Sequence, residues 1–411
     1  MRLPRLGTSS VVAAAFIGPG TVLTCATAGL AFGYSLGWTL VFATAAVFVL
    51  QSFAAGLGIL ARRGLGEAIR EQITAPTPWR ITAFLVVVGL WLGCAAFEVG
   101  NLIGATAGLA VALRIEGDPR WLSAVLAVAA GLALLLGLRA AMHVLTTLVA
   151  AMSVLFVAAM LAAPVDVNAV LRGLLIPSAP QGSLLTVVAL IGTTVVPYNL
   201  FLHASATRRY WEQELPPGGA ADAGAPAAFR RELAGMAVFI PLGGLISYAI
   251  LATGAALPAT GTVARVGDLA RLLEPVAGPT ARMLFGLGLF AAGFTSAITA
   301  PMAAAEGIRE LFGWTDERGA RRVRLVWLSV LLTGLVCSTA GWSPVGAIIA
   351  AQAANGVLLP LIAAFLLYVT TRRQHRLALP GWYRGLGVAI VLLCAGLGAA
   401  TLHRVFERIV P

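Results

Sequence analysis

The chain has 411 residues, 59% of them hydrophobic and only 11% charged, with mean hydropathy +0.91; soluble domains carry about 25% charge, so a water-soluble globular protein is excluded. Its formal charge of +11 comes entirely from arginine, since there is no lysine. The arginines stand in short segments between apolar runs, so they set membrane topology and do not point to nucleic acid as a partner. The expectation is an all-α polytopic membrane protein, one transport domain over residues 1–411, with the lipid bilayer as its surroundings.

At ~17–25 apolar residues per span, the chain holds eleven: roughly 8–32, 35–61, 80–113, 120–138, 141–163, 183–206, 232–257, 280–312, 322–340, 343–371 and 385–403. The first run is too long for the ~7–15 apolar residues of a removable leader and reads as a span. With the N-terminus cytoplasmic, 20 of the 28 arginines fall on the cytoplasmic side, which obeys the positive-inside rule, leaves the C-terminus outside and suits the plasma (inner) membrane. Span one is interrupted by Gly18-Pro19-Gly20-Thr21 and span six by Val196-Pro197-Tyr198-Asn199. Broken helices at the start of spans one to five and six to ten suggest a five-plus-five inverted repeat, about 8–163 and 183–371, with the eleventh span, about 385–403, peripheral. Pro216 to Pro226, rich in Gly, Ala and Pro, reads as a flexible connection. The four cysteines lie inside spans without metal-ligand spacing, and no phosphate loop, nucleophile elbow or zinc motif is present; neither an enzyme nor a cofactor is expected.

Opening a helix inside a membrane frees N–H and C=O groups, each costing several kcal/mol if left unsatisfied. The broken ends also present half-helix dipoles, and two such breaks in corresponding halves point to the substrate site of a secondary transporter. Thr21, Thr24, Thr193, Thr194, Tyr198 and Asn199 flank the breaks. Glu98 is the one acidic residue deep inside a span; it is either a proton-coupling site or a structural carboxylic acid bonded to a neighbouring helix. His203 lies seven residues past Val196, about two turns along the same face, and suits either proton relay or a helix contact. Gln51, Asn355 and Thr295 either line the path or bridge helices, and Glu306, Arg309 and Glu310 read as a solvated ion-paired face.

Phe16 to Gly58, with Gly-Pro-Gly-Thr and Leu-Gln-Ser-Phe-Ala-Ala-Gly-Leu-Gly, resembles the first two spans of the natural resistance-associated macrophage protein (Nramp) family. Gly192 to Ser205 resembles that family's sixth span, and Leu287 to Thr299 and Gln352 to Pro360 its eighth and tenth. The resemblance implies the leucine-transporter (LeuT) fold and alternating access, usually of divalent metals driven by protons. It also shows departures. The family's metal-binding Asp and Asn of span one are Gly18 and Thr21 here, its sixth-span Met is Val196, and its neighbouring His is Tyr198. Gln352 survives as an auxiliary contact, while Phe294 replaces a Gln. In the family's third-span proton path, Glu98 stands for an Asp and Asn101 for a Glu. A dehydrated transition metal wants carboxylate, amide, imidazole or thioether donors, which this site lacks.

The leading expectation from sequence is therefore a secondary-active transporter of Nramp-like architecture carrying a small neutral, zwitterionic or anionic solute. Its substrate site is Gly18, Gly20, Thr21, Thr194, Val196, Tyr198, Asn199 and Gln352, and its proton-coupling residues are Glu98 and His203. The alternative is a proton-coupled transporter of a divalent metal cation, of Mn/Fe type or Mg. A second alternative is a transport-inactive receptor or scaffold.

Overall fold

The computed structural model describes residues 17–136, 139–163, 166–214, 219–256, 266–372, 377 and 379–409. The part of span one before Ile17 lies outside them. Among the described residues there is no strand, and helix occupies each of the eleven expected spans. They run Pro19–Phe32, Gly37–Leu60, Pro76–Leu113, Arg120–Leu136, Arg139–Ala162, Leu184–Thr194 continued by Pro197–Glu214, Gly219–Ala256, Ala281–Phe312, Glu317–Thr339, Pro344–Thr371 and Gly381–Ile409. Among the described residues, nine helical stretches are long and apolar enough to cross a bilayer, Pro19–Phe32 and Gly37–Leu60 together forming one of them, Pro19–Leu60, while Arg120–Leu136 is shorter. Large apolar side chains stay exposed on the outer spans, among them Leu136, Val154, Leu325 and Leu392. So wide an apolar surface suits lipid and not water.

Small residues set the closeness of the inner spans. A Cβ on Gly108 would lie 2.4 Å from the Phe290 backbone nitrogen, and one on Gly293 2.5 Å from that of Ala105. Spans three and eight therefore touch backbone to backbone, the packing that small residues permit between membrane helices. Three of the four cysteines are buried and all four are free, as packing residues should be.

Two expectations are corrected. The stretch from Gly219 to Pro226 is helical and belongs to span seven. Its alanines are the strongest helix formers, and they outweigh the two glycines. Residues 215–218 lie outside the described residues. At the arginine-rich end of the bundle, Glu306 does pair with Arg309 at 2.6 Å and Arg209 at 2.8 Å. Glu310, however, is buried: Ser205 donates to it at 2.5 Å, and Arg208 bridges it to Glu67 of the short helix Leu65–Gln72. In the preceding loop Arg63 holds Glu71 through its Nε at 2.9 Å, which raises the guanidinium pKa further. This network ties the segment after span two to the ends of spans six and eight.

Candidate substrate site

The break in span six follows from its proline. The first half ends at Thr194, Val195 leaves helical geometry at φ −96° and ψ 82°, and Pro197 starts the second half. Having no N–H, Pro197 cannot donate to the Thr193 carbonyl four residues back, so an acceptor is left facing the break. Span one shows the same device. Gly18 is extended at φ −92° and ψ 171°, and Pro19 opens the helix. Each half-helix that begins at the break thus starts with a residue lacking an amide hydrogen.

Span ten crosses both breaks at one point. A Cβ on Gly192 would sit 2.0 Å from the Gln352 carbonyl oxygen and 2.5 Å from the Gly356 nitrogen, and one on Gly20 would sit 2.2 Å from Gln352 Nε2. Only glycine fits at 192, a Cβ at 20 would displace the end of the Gln352 side chain, and together the two positions bring Gln352 between the two breaks. Thr21 and Thr193 close the gap with a hydroxyl–hydroxyl bond of 3.0 Å. Gln352 and Thr21 are each 1% exposed, so the site is shut off from solvent. Within it, Gln352 Oε1 and Thr24 Oγ1 have no hydrogen-bond partner among the described residues.

Not every expected residue joins this cluster. Gly18 looks toward span eight, its Cβ position 3.6 Å from Ser296 Oγ. Val196 lies buried in the non-helical link. Tyr198 packs edge-on against Phe97 at 5.5 Å, and the Asn199 backbone nitrogen donates to the Val196 carbonyl at 3.1 Å. The Thr194 hydroxyl donates at 2.8 Å to Leu190 of its own helix, whereas Thr193 makes the contact across the break. Asn355, one turn on from Gln352, bridges to the Gly93 carbonyl at 3.3 Å, and Thr295 bonds within its own helix.

Glu98 stands apart from the break. Gly100 and Gly104 turn toward Gln352 and Pro19, and Glu98 lies about 200° around the helix from Gly100. Its side chain abuts Gly334 of span nine, where a Cβ would fall 2.4 Å from Glu98 Cγ. Asn101 donates to one carboxyl oxygen at 3.5 Å, and the other has no partner among the described residues. His203 is likewise outside the cluster, bonded to Gln51 and Glu232. Glu232 went unnoticed in the sequence because it follows Arg230 and Arg231 where span seven was expected to start.

A broken span six and the proline-started helix of span one, held together by a third span, are the layout of an alternating-access site. The sequence profile of the family described as natural resistance-associated macrophage protein-like (Nramp) matches residues 9–404. The chain belongs to the Nramp family. Among its relatives, a divalent metal cation transporter MntH of Acidiphilium cryptum is 28% identical, with 98% of this chain and 91% of that protein covered. A protein of the same name from Klebsiella pneumoniae is 26% identical, over 97% and 93%. A crystal structure of the Eremococcus coleocola manganese transporter superposes with a TM-score of 0.75 at 20% identity, covering 96% of this chain and 85% of that one. MhsT in complex with L-phenylalanine does so with 0.57 at 14%, over 97% and 98%. The fold is LeuT-like, and this Nramp chain is a multi-pass membrane transporter. Among the described residues it has no group of three or more His, Cys, Asp or Glu that could hold a metal ion.

Proposed function

We propose that this Nramp chain carries a hard divalent cation by alternating access, holding it at the break with oxygen donors and part of its water shell. The observation that carries the reading is Gln352 Oε1, a buried carbonyl acceptor without a donor, lodged between two breaks where prolines have removed amide hydrogens. A buried acceptor without a donor suits a cation or the waters around it. The relatives named divalent metal cation transporters support the same class of cargo. On both counts the divalent-cation alternative is better supported than the small neutral, zwitterionic or anionic solute favoured by sequence.

The donor set narrows the cargo further. Among the described residues no thioether, imidazole or carboxylate joins the Gln352 cluster at the break, and oxygen ligands suit Mg²⁺, Ca²⁺ and Mn²⁺. The protein's share of the charge compensation falls to the carbonyl end of Leu184–Thr194, whose dipole is negative there. Retained water supplies the remaining ligands. One transport domain serves this cycle, built from repeats over about 8–163 and 183–371 with the eleventh span outside them, in the plasma membrane with the N-terminus and the arginine-rich end cytoplasmic. Glu98, on span three of the first repeat and buried against Gly334 of span nine, is a proton-coupling candidate.

Calorimetric titration of the solubilised protein with Mn²⁺, Mg²⁺ and Cd²⁺ tests the cargo class. The reading expects Mn²⁺ and Mg²⁺ to bind, Cd²⁺ to gain no advantage, and Gln352→Ala to weaken binding. Heat from a zwitterion or a carboxylate, with none from any divalent cation, would restore the solute reading instead.

A further inference from the structure

The segment between spans five and six carries a short helix, Val167–Leu175, before span six starts at Leu184. It lies at the Gly37 end of span two, and the arginine-rich network lies past the other end, at Leu60. The helix is clasped to the junction of spans one and two. Gly173 packs its backbone on Tyr34, where a Cβ would fall 2.0 Å from the carbonyl oxygen. Trp38 Nε1 donates to the Ser178 carbonyl at 2.8 Å, and the Ser178 hydroxyl donates to the Ser35 carbonyl at 3.0 Å. Between helix and junction lies a cavity of about 730 Å³, within the ~300–1,000 Å³ of small-molecule sites. Tyr34, Ser35, Asp166, Asn168, Arg172 and Ser178 line it.

Two opposite charges line this cavity without pairing. Asp166 Oδ1 accepts the Asn168 and Ala169 N–H groups at 2.9 and 3.3 Å, which caps the helix, while Oδ2 has no hydrogen-bond partner among the described residues. The Arg172 guanidinium makes no hydrogen bond or ion pair among them either. A solvated arginine is ordinary on a water-facing surface, but this helix does not face water all round. Val167, Leu171 and Leu175 stand a turn apart on one side and are exposed, next to exposed Leu161 at the end of span five. At ~100° per residue, Asn168 and Arg172 stand ~100° and ~140° round from Val167, between that apolar side and the docked Gly173. A helix with such a division lies in the membrane interface, its apolar side at the boundary of headgroups and acyl chains. The cavity is then at headgroup depth.

We propose that this cavity holds the headgroup of a phospholipid, its phosphate on Arg172 and its ammonium on Asp166, with the acyl chains leaving over Val167, Leu171 and Leu175. Arginine grips phosphate with paired N–H donors. The free oxygen of Asp166 is an acceptor, which a primary ammonium satisfies and a trimethylammonium does not. The lipid is therefore of the phosphatidylethanolamine type. The break and its cargo take no part in the site.

The test is native mass spectrometry of the delipidated full-length protein in detergent. It is titrated with dioleoylphosphatidylethanolamine, with the matching phosphatidylcholine and phosphatidylglycerol, and with O-phosphoethanolamine as the headgroup alone. The expected result is tightest binding of phosphatidylethanolamine, weakened about tenfold in Arg172→Gln, since a hydrogen bond to a charged group is lost. Asp166→Asn keeps a helix cap and should remove the preference over phosphatidylcholine. Both side chains are exposed, so both variants are expected to fold. Equal affinity in the wild type and Arg172→Gln would overturn the proposal, as would a preference that Asp166→Asn leaves intact. Phosphatidylglycerol bound as tightly as phosphatidylethanolamine would make the site one for anionic lipid and overturn it too. Displacement of the lipid by an equal concentration of O-phosphoethanolamine would assign the cavity to a soluble phosphate ester instead. No divalent cation enters the measurement, so its failure is distinct from failure of the divalent-cation reading.

Discussion

Gly18→Asp is the most informative perturbation of the site, because it adds one carboxylate to a break that has none. The backbone at Gly18, φ −92° and ψ 171°, is open to any residue. A Cβ there would meet Ser296 Oγ at 3.6 Å, an ordinary contact, so the variant is expected to fold. Unit charges about 4 Å apart attract by about 4 kcal/mol at an effective dielectric of 20, hence about 8 kcal/mol for a divalent ion. Desolvation of a carboxylate and a cation opposes this with several kcal/mol. A net gain of about 3 kcal/mol corresponds to roughly a hundredfold tighter binding. Isothermal titration with Mn²⁺ measures it, with Gly18→Asn as the uncharged control. A folded Gly18→Asp protein with no gain in affinity for Mn²⁺ or Mg²⁺ would refute the placement of the cation at the break.

Other substitutions separate the site from the scaffold around it. Gly20→Ala puts a methyl 2.2 Å from the end of a flexible side chain, so the protein should fold with a loss of about 1–3 kcal/mol while Gln352 is pushed aside and cation binding fails. Gly192→Ala meets backbone at 2.0 Å, where nothing can swing away, and should prevent spans six and ten from packing; unchanged unfolding in detergent would contradict this. Arg208→Ala strips the cation from buried Glu310 and should cost about 3 kcal/mol, read from denaturant midpoints, with Glu310→Gln restoring part of it in the double variant. Glu98→Gln keeps the shape of the side chain against Gly334, so stability should hold while the pH dependence of flux flattens; an identical pH profile would remove Glu98 from coupling.

The eleven spans and the two breaks were legible in the sequence because hydropathy and the Pro and Gly positions carry them directly. The meeting of Gln352 with Gly20 and Gly192 was only half legible: each residue stood out, but no local pattern shows that spans one, six and ten cross at one point. Helix facing was the least accessible. In a helix apolar all round, nothing marks which side meets which neighbour, so Glu98 could not be placed against span nine in advance, nor Thr193 preferred over Thr194. Glu232 was masked by the two arginines before it, which made it look like the solvated first residue of span seven. The helix over Gly219–Pro226 was hidden for the opposite reason, since its two glycines and Pro226 mask the helix preference of its alanines.

The central claim, a divalent cation carried through a break without a carboxylate, is tested most directly by uptake of Mn²⁺ and Mg²⁺ into proteoliposomes holding the purified protein. The account predicts saturable flux of both ions, weakened by Gln352→Ala and indifferent to an excess of zwitterionic solutes. Flux of a neutral, zwitterionic or anionic solute with no movement of either ion would contradict it, and so would binding of the ions without any flux.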